Sequence, residues 1–450
     1  MALTTNEFAD AMKTFYIPPL NDQVHRATVL LNRLEKNSED VSGNHAHVPV
    51  ITARNPGVGS RRDVATTGPK LPAAGRQTYD TATYKMALHY GRGSVSGPLM
   101  RASKSSAGAF AKAIDVEMQG LTKRLPEDLN RQLWSYGSGR CASVVTTYTS
   151  GDTTIEISST DVFAGRVGDR VTASDITAGA VQSANAAITI TAIAFDQDAT
   201  GAASSTVHTL TIADIGANFT TAEDALYYGD SISDEEDVSR QQEMYGVPAA
   251  VDDGAIGADE SDPIEADELL DGSLSFGSID RTTVSSWKAQ VLQNPSSAGT
   301  NRQLTTALLE QAFLHSVAVG GATEQSMEVY TNPGLWATIG LLHIGDRRFN
   351  DYKETLKGGW LALMFNGIPI FYDRDAPRDK IYFLDMSSLM LLTQSGYELM
   401  DEDGAVLSRI SGRDAYEFTL YRDIQFASRN NSVNTLLDDI SASMNINVEV

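Results

Sequence analysis

The chain has 450 residues, of which 42% are hydrophobic, and a net charge of −23, a composition typical of a soluble protein large enough for two or three domains. Its single cysteine, Cys141, excludes an internal disulfide framework and favours a reducing compartment. No apolar run approaches the ~20 residues that a membrane helix requires, and the N-terminal residues lack the apolar segment of a signal peptide. We therefore expect a protein that is made and kept in a cytoplasm.

Residues 1–40 begin irregularly and then show helical periodicity. A helix capped by Asn21 is predicted to run to about Lys36, with Leu30, Leu31 and Leu34 on its apolar face. A helix this short needs a partner on which to bury that face.

Residues 46–97 are predicted to form a long β-hairpin arm. HVPVITA and TATYKMALHYGRGSVSG alternate at strand period, and the second string places Tyr84, Met86, Leu88 and Tyr90 on one side. Residues 54–76 lie between them and contain four Gly, three Pro and five basic residues against one acid. A structureless loop of that length is uncommon in a compact domain, and a two-stranded arm is marginally stable alone. We expect the segment from His47 to Gly97 to gain its stability only on a second copy of the chain.

Apolar residues recur every three or four positions over residues 105–137 and predict one long helix. Ser105 or Ser106 is expected to cap it, and Pro126 is expected to kink or restart it. At ~1.5 Å per residue the helix would span ~45–50 Å, which is longer than a compact domain requires.

The negative charge is concentrated in one segment. Residues 141–280 contain 26 Asp and Glu against three Arg, a net charge of −23, so the rest of the chain is neutral. Residues 141–232 are rich in Thr, Ala, Ser and Val that alternate as in short strands, whereas residues 233–275 are acidic without periodicity. The pattern predicts an acidic all-β insertion over residues 141–279. Its surface is either solubilising or repels polyanions and other copies of itself.

Residues 280–450 are predicted to be mixed α/β. A helix is expected from Asn301 to a glycine stop, and a second helix is expected to start near Pro333. SMEVYTN, IPIFYD, KIYFLD, LMLLT and YEFTLYRDIQFAS are predicted strands.

No catalytic or phosphate-binding motif is present: the chain lacks G-x-x-x-x-G-K-[ST], H-E-x-x-H and G-x-S-x-G. His45 and His47 form the one close histidine pair, and Cys141 has no base near it in sequence. Two acidic pairs, Asp373 with Asp375 and Asp401 with Asp403, could bind a hard cation. Their strings, DRDAP and DEDG, are also turn chemistry, and we favour turns. We expect no enzyme activity, no cofactor and no metal.

Four passages together resemble one known family. They are ALHYGRGSVSGPLMRASKSSAGAFAKAIDVEMQGLTKRLPEDLNRQLWSYGSGR, FGSIDRTTVSSWKAQV, GDRRFNDYKETLKGGWLALMFNGIPIFYDRDAPRDKIYFLD and YELMDEDGAVLSRISGRDAYEFTLY. The first is similar to the passage from the arm to the long helix in the major capsid proteins of tailed bacteriophages, which have the Hong Kong 97-type fold, and the others are similar to later passages of that family. The resemblance covers residues 45–140, 225–250 and 275–440, and it rests on the number and order of these strings.

The resemblance implies an α+β fold built from an N-terminal arm, an extended loop over a neighbouring subunit, a peripheral domain with a spine helix, and an axial domain. The implied boundaries are 1–45 for the arm, 46–97 for the extended β-hairpin loop, 98–140 for the peripheral domain, 280–400 for the axial domain and 401–450 for the return strands. Residues 141–279 would be inserted into this frame and face outward. Gly358 and Gly359 would let an axial strand start, and Trp360 would fill the axial core.

The implied function is self-assembly of hexamers and pentamers into an icosahedral head shell that encloses double-stranded DNA without sequence-specific binding. The shell would assemble in the bacterial cytoplasm and become part of the virion, without a membrane. Its partners would be a portal and, where they are used, separate scaffolding and decoration proteins. No reacting Lys and Asn can be matched, so cross-linking is not implied.

The basic residues of the arm are the predicted inter-subunit contacts, unless they only make the loop soluble: Arg54, Arg61, Arg62, Lys70 and Arg76. Three alternative functions stay open at this point. They are an encapsulin-like nanocompartment shell of the same fold, a secreted adhesin or surface-layer protein, and a metal-dependent hydrolase that uses the paired aspartates.

Overall fold

A computed structural model describes most of the chain in segments. The described residues are 28–38, 41–60, 71–102, 107–137, 139–144, 152–158, 167–175, 188–195, 207–212, 224–228, 243–253, 275–281, 283–295, 301–342, 363–394, 396–400 and 407–441. Several positions singled out in the sequence lie outside them: Asn21, Arg61, Arg62, Lys70, Ser105, Ser106, Gly358, Gly359, Trp360, Asp401 and Asp403.

The described residues between 28 and 132 form five strands and two helices. They are β1 (Glu35–Asn37), β2 (Val41–Ser42), β3 (His45–Ala53), β4 (Thr78–Lys85), β5 (Ala87–Ser96), α1 (Gly97–Ala102) and α2 (Ala107–Gln132). β2, β3 and β4 form an antiparallel hairpin sheet. The long helix α2 is the spine helix of the prediction.

The inserted segment folds into a sheet of its own. Its strands are β6 (Arg140–Ser143), β7 (Thr154–Ser158), β8 (Arg170–Asp175), β9 (Ile188–Phe195), β10 (Val207–Ile212) and β11 (Asp224–Tyr228). They pair antiparallel in the order β6-β11-β8-β9-β10-β7. A bridge between Val144 and Ile157 brings the two end strands together, so the sheet curls around a core of small aliphatic residues. We call it the insert sheet.

The remaining elements are mixed. The helical ones are α3 (Val247–Ala250), a 3-10 turn (Ser285–Trp287), α4 (Thr306–Leu314) with a π turn after it (His315–Gly320), and α5 (Pro333–Leu342). The first strands are β12 (Ser275–Phe276), β13 (Ile279–Asp280), β14 (Gln290–Leu292), β15 (Arg302–Gln303) and β16 (Met327–Thr331). Later strands are β17 (Leu363–Phe365), β18 (Ile368–Tyr372), β19 (Ile381–Asp385), β20 (Leu389–Thr393), β21 (Glu398–Leu399), β22 (Ser408–Arg409), β23 (Ala415–Ser428), β24 (Thr435–Leu437) and β25 (Ile440–Ser441).

Two six-stranded sheets organise the body. In the spine sheet, β1, β20, β23 and β21 are neighbours in that order, and β22 and β5 also pair with β23. In the β19 sheet the order is β14-β24-β19-β16-β18-β17. The strands predicted from IPIFYD, KIYFLD, LMLLT and YEFTLYRDIQFAS are β18, β19, β20 and β23 of these two sheets. The apolar residues of β19 alternate between two cores, one shared with β20 and β23 and the other shared with β18.

The spine helix approaches β5 closely. A Cβ atom at Gly91 would lie 2.9 Å from Leu125 Cδ2 and 3.2 Å from Leu121 Cγ, so a larger residue would force these leucine side chains to shift. At the other end of the helix, the Trp134 ring packs 5.4 Å from Tyr382 and 6.1 Å from Tyr330, which belong to the β19 sheet. The spine helix therefore contacts both sheets. None of the described helices is long and apolar enough to cross a membrane.

The predicted N-terminal helix is wrong over its described part. Residues 28–34 form a single turn, in which the Leu34 N–H donates to the Leu30 carbonyl at 3.2 Å. The chain then extends as β1, which pairs parallel with β20. Completing the edge of a sheet outweighs weak helix propensity. The three leucines are nevertheless buried in the core.

Two other helix predictions change. α2 continues through Pro126 without restarting. α4 begins at Thr306 and not at Asn301, because the Thr305 side chain caps it by accepting a hydrogen bond from the Leu308 N–H. Arg302–Gln303, after Asn301, pairs as a strand with β25.

Candidate assembly interface

The predicted arm is a two-faced hairpin. β3 and β4 pair antiparallel from His45 opposite Lys85 to Ile51 opposite Tyr79. The inward face is buried and consists of Ala46, Val48, Val50, Ala82 and Tyr84. The outward face is exposed along both strands.

The base of the arm is anchored to its own molecule. The Tyr84 hydroxyl donates to the Ser428 carbonyl at 3.0 Å, and its ring packs 5.3 Å from Phe276. Burial raises the pKa of Tyr84, so this hydroxyl remains a donor. The Thr83 N–H donates to the Gly277 carbonyl at 2.8 Å. We expected the segment from His47 to Gly97 to be stable only on a second copy of the chain. For β3 and β4 this expectation is wrong, because residues 276–277 and Ser428 of the same molecule contact the base of the hairpin.

Beyond the strands the two halves of the arm converge in a narrow neck. The Gly57 N–H donates to Asn55 Oδ1 at 2.8 Å, and a Cβ atom at Gly75 would lie 2.5 Å from that same oxygen. A Cβ atom at Gly57 would lie 2.9 Å from the Gly75 nitrogen. Glycine is required at both positions, and the neck holds residues 55–57 against residues 73–75.

Large apolar side chains on the arm face solvent. The exposed fractions are 56% for Ile51, 88% for Val58, 82% for Leu71 and 65% for Tyr79. Exposed apolar residues concentrated on one element are typical of an interaction site. Arg54 and Arg76 are exposed beside them, whereas the predicted contacts Arg61, Arg62 and Lys70 lie outside the described residues.

A second exposed face lies on the spine sheet, on the side of β5 opposite the spine helix. The prediction that Tyr84, Met86, Leu88 and Tyr90 share one side is wrong, because the chain leaves the hairpin sheet at Met86 and enters the spine sheet at Ala87. Tyr84 and Met86 are buried, but 54% of Leu88 and 52% of Tyr90 are exposed.

The partners of β5 on β23 make this face acidic as well as apolar. Leu88 is opposite Asp423, Tyr90 is opposite Tyr421, and Arg92 forms an ion pair with Glu417. We call this surface the outer face of the spine sheet. The sequence analysis did not identify this face. The signal for it is the alternation of glycines in GRGSVSG, because Gly91 and Gly93 lie on the opposite side of β5, where other side chains pack closely.

A buried charge network holds the spine helix, β5 and the chain leaving the insert sheet together. Arg131 Nε donates to Asp128 Oδ1 at 2.9 Å, and its terminal nitrogens donate to both Glu243 oxygens at 3.0 and 2.5 Å. His89 Nε2 lies 3.0 Å from Asp128 Oδ2. Although burial opposes ionisation, Arg131 and His89 hold the pKa of Asp128 well below its usual range. Burial raises the pKa of Glu243 despite its contact with Arg131.

The candidate metal ligands lie in separate parts of the molecule. Asp373 and Asp375 lie in the turn between β18 and β19, where the Asp375 N–H donates to Asp373 Oδ1 at 3.1 Å, as the turn prediction requires. The His45 and His47 rings are stacked 6.5 Å apart. Cys141 lies on β6 and is buried in the core of the insert sheet. Within the described segments, no group of three or more His, Cys, Asp and Glu residues is placed to hold a metal ion.

Comparison with known proteins gives a structural match only. No protein-family model matches the chain, and no curated protein matches it in sequence. The structure is similar to the capsid asymmetric unit of cyanophage A-1(L), with 14% identity and a TM-score of 0.54 over 94% of this chain and 96% of that one. An encapsulin complex from Synechococcus elongatus has 10% identity and a TM-score of 0.47 over the whole of both chains. A structure from Mycobacterium phage Adephagia has 10% identity and a TM-score of 0.42 over 97% of this chain and 98% of that one.

The match to the cyanophage capsid leaves only a small fraction of either chain uncovered. It agrees with the mixture of helices and strands in the described residues. The chain therefore has the α+β fold of a phage capsid shell protein, as the resemblance to tailed-phage major capsid proteins predicted.

Proposed function

We propose that this chain is a major capsid protein that self-assembles, as hexamers and pentamers, into the icosahedral head shell around the double-stranded DNA of a tailed phage. The observation that carries the proposal is the arm: its base is fixed to its own molecule, while its large apolar side chains point into solvent. A capsid fold with such an arm supports a contact between copies.

The outer face of the spine sheet on a neighbouring copy is the surface that best fits the arm. Leu88 and Tyr90 offer apolar area for Ile51 and Tyr79. Asp423, on the neighbouring strand, adds negative charge toward the basic arm residues. Arg54, Arg61, Arg62, Lys70 and Arg76 are proposed to supply those ion pairs.

Apolar burial dominates this contact. Burying the exposed parts of Ile51, Val58, Leu71 and Tyr79 would contribute about 4–9 kcal/mol at ~1.5–3 kcal/mol for a whole side chain. Exposed ion pairs add only ~0–1 kcal/mol each. A free energy of ~4–9 kcal/mol corresponds to a dissociation constant between ~1 mM and ~0.3 μM, and the entropy lost on association weakens the binding further. One arm therefore binds reversibly, and a shell is held by many such contacts.

Packaged DNA is expected to lie inside the shell without sequence-specific contacts, because the charge outside residues 141–280 sums to zero. A portal is the expected partner for DNA entry, with separate scaffolding and decoration proteins where they are used. The chain would be assembled in the host cytoplasm and end in the virion. It would act as a structural protein and not as an enzyme.

The direct test changes the outward face of the arm without touching its anchored face. In Ile51→Ser/Tyr79→Ser, particle formation should be blocked or strongly reduced, while circular dichroism of the soluble chain stays as in the unaltered protein. Thr81→Ser, on the same exposed strand, is the matched control. Particles are counted by sedimentation and negative-stain microscopy of the protein expressed with its phage partners. Normal particle yield from the double variant would contradict the proposal.

The charge contribution needs its own experiment. Arg61→Glu/Arg62→Glu and Arg54→Glu/Arg76→Glu should each weaken particle formation, and more so at low salt, because reversed charges repel the acidic face. Equal yields at low and high salt would remove the ion-pair part of the proposal. Nucleic acid extracted from purified particles, with a portal at one vertex, distinguishes a phage head from an encapsulin-like nanocompartment of the same fold.

A further inference from the structure

A buried carboxyl pair lies where the spine helix meets the β19 sheet. Asp373 and Asp375, in the turn that leads from β18 to β19, are both buried. Asn130 of the spine helix is fully buried and donates from Nδ2 to both of them. The nitrogen lies 3.1 and 3.2 Å from the two Asp373 oxygens and 2.9 Å from Asp375 Oδ2.

Three carboxylate oxygens thus converge on one nitrogen that has only two hydrogens to donate. Two carboxylates this close to a common atom repel each other when both are ionised, and burial removes the water that would screen them. Such a pair keeps one proton to a higher pH than an isolated aspartate does.

Among the described residues, the groups with the largest effect on the pKa of Asp373 besides burial are Asp375, Asn130 and Trp134, and none of these three is a cation. Asn130 belongs to the spine helix, Trp134 to the turn after it, and β16 contributes the Tyr330 phenol. Arg33 lies next to Tyr330 but forms its ion pair with Glu328. Arg374 belongs to the same turn and stands between the two aspartates in sequence. Burial, followed by the charge of Asp375, raises the pKa of Asp373 to about 7.

We propose that Asp373, Asp375 and Asn130 form a proton-dependent latch between the spine helix and the β19 sheet. The latch is closed while the two carboxyls share one proton, and it weakens when both are ionised. It is the polar half of a contact whose apolar half is Trp134 against Tyr330 and Tyr382. The latch concerns a contact within one chain and does not depend on shell assembly.

The sign of the pH dependence follows from where the proton is held. The closed latch keeps a proton up to about pH 7, whereas a hydrated aspartate releases it near pH ~4. Opening therefore releases a proton over this range, and the open population rises by up to about tenfold per pH unit between about pH 4 and pH 7. Above about pH 7 both states are ionised and the population no longer changes.

Hydrogen exchange of the unassembled full chain tests the latch. Exchange is followed by mass spectrometry in peptides covering residues 125–137, and rates are corrected for the intrinsic pH dependence of exchange. Protection of the end of the spine helix should fall by on the order of 10–100-fold between about pH 5 and about pH 7.5. In Asp373→Asn, which cannot ionise, the corrected protection should be the same at both values.

Asp379→Asn is the matched control, because Asp379 lies at the other end of the same turn and burial also raises its pKa to about 7. Its charged neighbours are Lys380 and Asp438 and not the latch residues, so this variant should keep the pH dependence at the helix end. If Asp373→Asn does not fold, Asp375→Asn tests the same pair.

Three results would overturn the latch: unchanged protection in the unaltered chain, a pH dependence that persists in both latch variants, or its loss in Asp379→Asn. Recovery of protection at about pH 7.5 on adding calcium ions would also overturn it, because the carboxyl pair would then be a cation site and not a shared-proton site.

Discussion

The buried ion pair between Arg131 and Glu243 gives the sharpest test of how the insertion is tied to the spine helix. Both side chains are almost inaccessible to solvent. The Arg131 guanidinium also lies 3.8 Å from the centre of the Tyr228 ring, on the last strand of the insert sheet. Removing Arg131 takes away the cation that pairs with Glu243, whereas removing Glu243 leaves Arg131 paired with Asp128.

The magnitude can be derived from these contacts. Arg131→Met leaves the Glu243 carboxylate without its two donors, which costs about 3–5 kcal/mol for a buried pair. Glu243→Leu leaves the cation with Asp128 and the Tyr228 ring, so its cost should lie at the lower end, about 3 kcal/mol. The double variant Arg131→Met/Glu243→Leu removes both charges and should be within about 2 kcal/mol of the unaltered protein.

Urea unfolding of the unassembled chain, followed by circular dichroism, measures the three free energies of unfolding. The sum of the two single losses should exceed the loss in the double variant by several kcal/mol. Single variants that each cost less than ~1 kcal/mol would show that water reaches the pair. Additive losses would show that the two side chains do not act together. Either result would refute the reasoning.

Two further predictions concern the close packing at Gly93 and the anchor of the arm at Tyr84. Gly93→Ala would place a Cβ atom inside contact distance of the Phe418 ring and should cost ~1–3 kcal/mol. Gly120→Ala, in the spine helix with open space around it, should stabilise the protein by ~0.5–1 kcal/mol. Urea unfolding measures the stability change in both variants, and changes of the same sign would contradict the close packing at Gly93. Tyr84→Phe leaves the Ser428 carbonyl without this donor and should lower the free energy of unfolding by ~1–3 kcal/mol. Hydrogen exchange in β4 should become faster. Unchanged exchange in β4 would show that the arm is anchored elsewhere.

Much of the fold could be predicted because buried strands carry a strong local signal. β19 and β20 are apolar at nearly every position, as strands covered on both faces must be. Pro333 lies at the first position of α5, where its missing N–H costs nothing. In both cases local sequence and tertiary structure favour the same conformation.

The wrong predictions concern residues whose conformation depends on a part of the chain that is distant in sequence. β1 is a strand because β20 is beside it, and no local pattern contains that information. The alternation in the sequence continues through Met86 and therefore predicts that Leu88 and Tyr90 lie on the same side as Tyr84 and Met86. Because the chain passes from one sheet to another at Met86, Tyr84 and Met86 are buried whereas Leu88 and Tyr90 lie on the candidate interface.

The sequence predicted that an arm exists but not the distant residues that anchor it. Glycine, proline and arginine between two alternating runs indicated an arm, and the described part of the arm has that form. Its anchorage by Tyr84 depends on Ser428, which is 344 residues away. The buried pair at Asp373 and Asp375 could not be distinguished from an ordinary turn, because the partner that buries it is Asn130 on another element.

The last turn of the spine helix explains why so much of the molecule depends on a few polar residues. Successive residues of a helix point about 100° apart, so Asp128, Asn130 and Arg131 reach three different parts of the chain. Asp128 contacts β5 through His89, Asn130 contacts the turn before β19, and Arg131 contacts Glu243 after the insert sheet. Apolar packing alone tolerates small shifts between elements, whereas buried hydrogen bonds to charged groups are lost when the geometry changes. This turn therefore contributes polar contacts that position β5, the β19 sheet and the chain after the insert sheet relative to one helix.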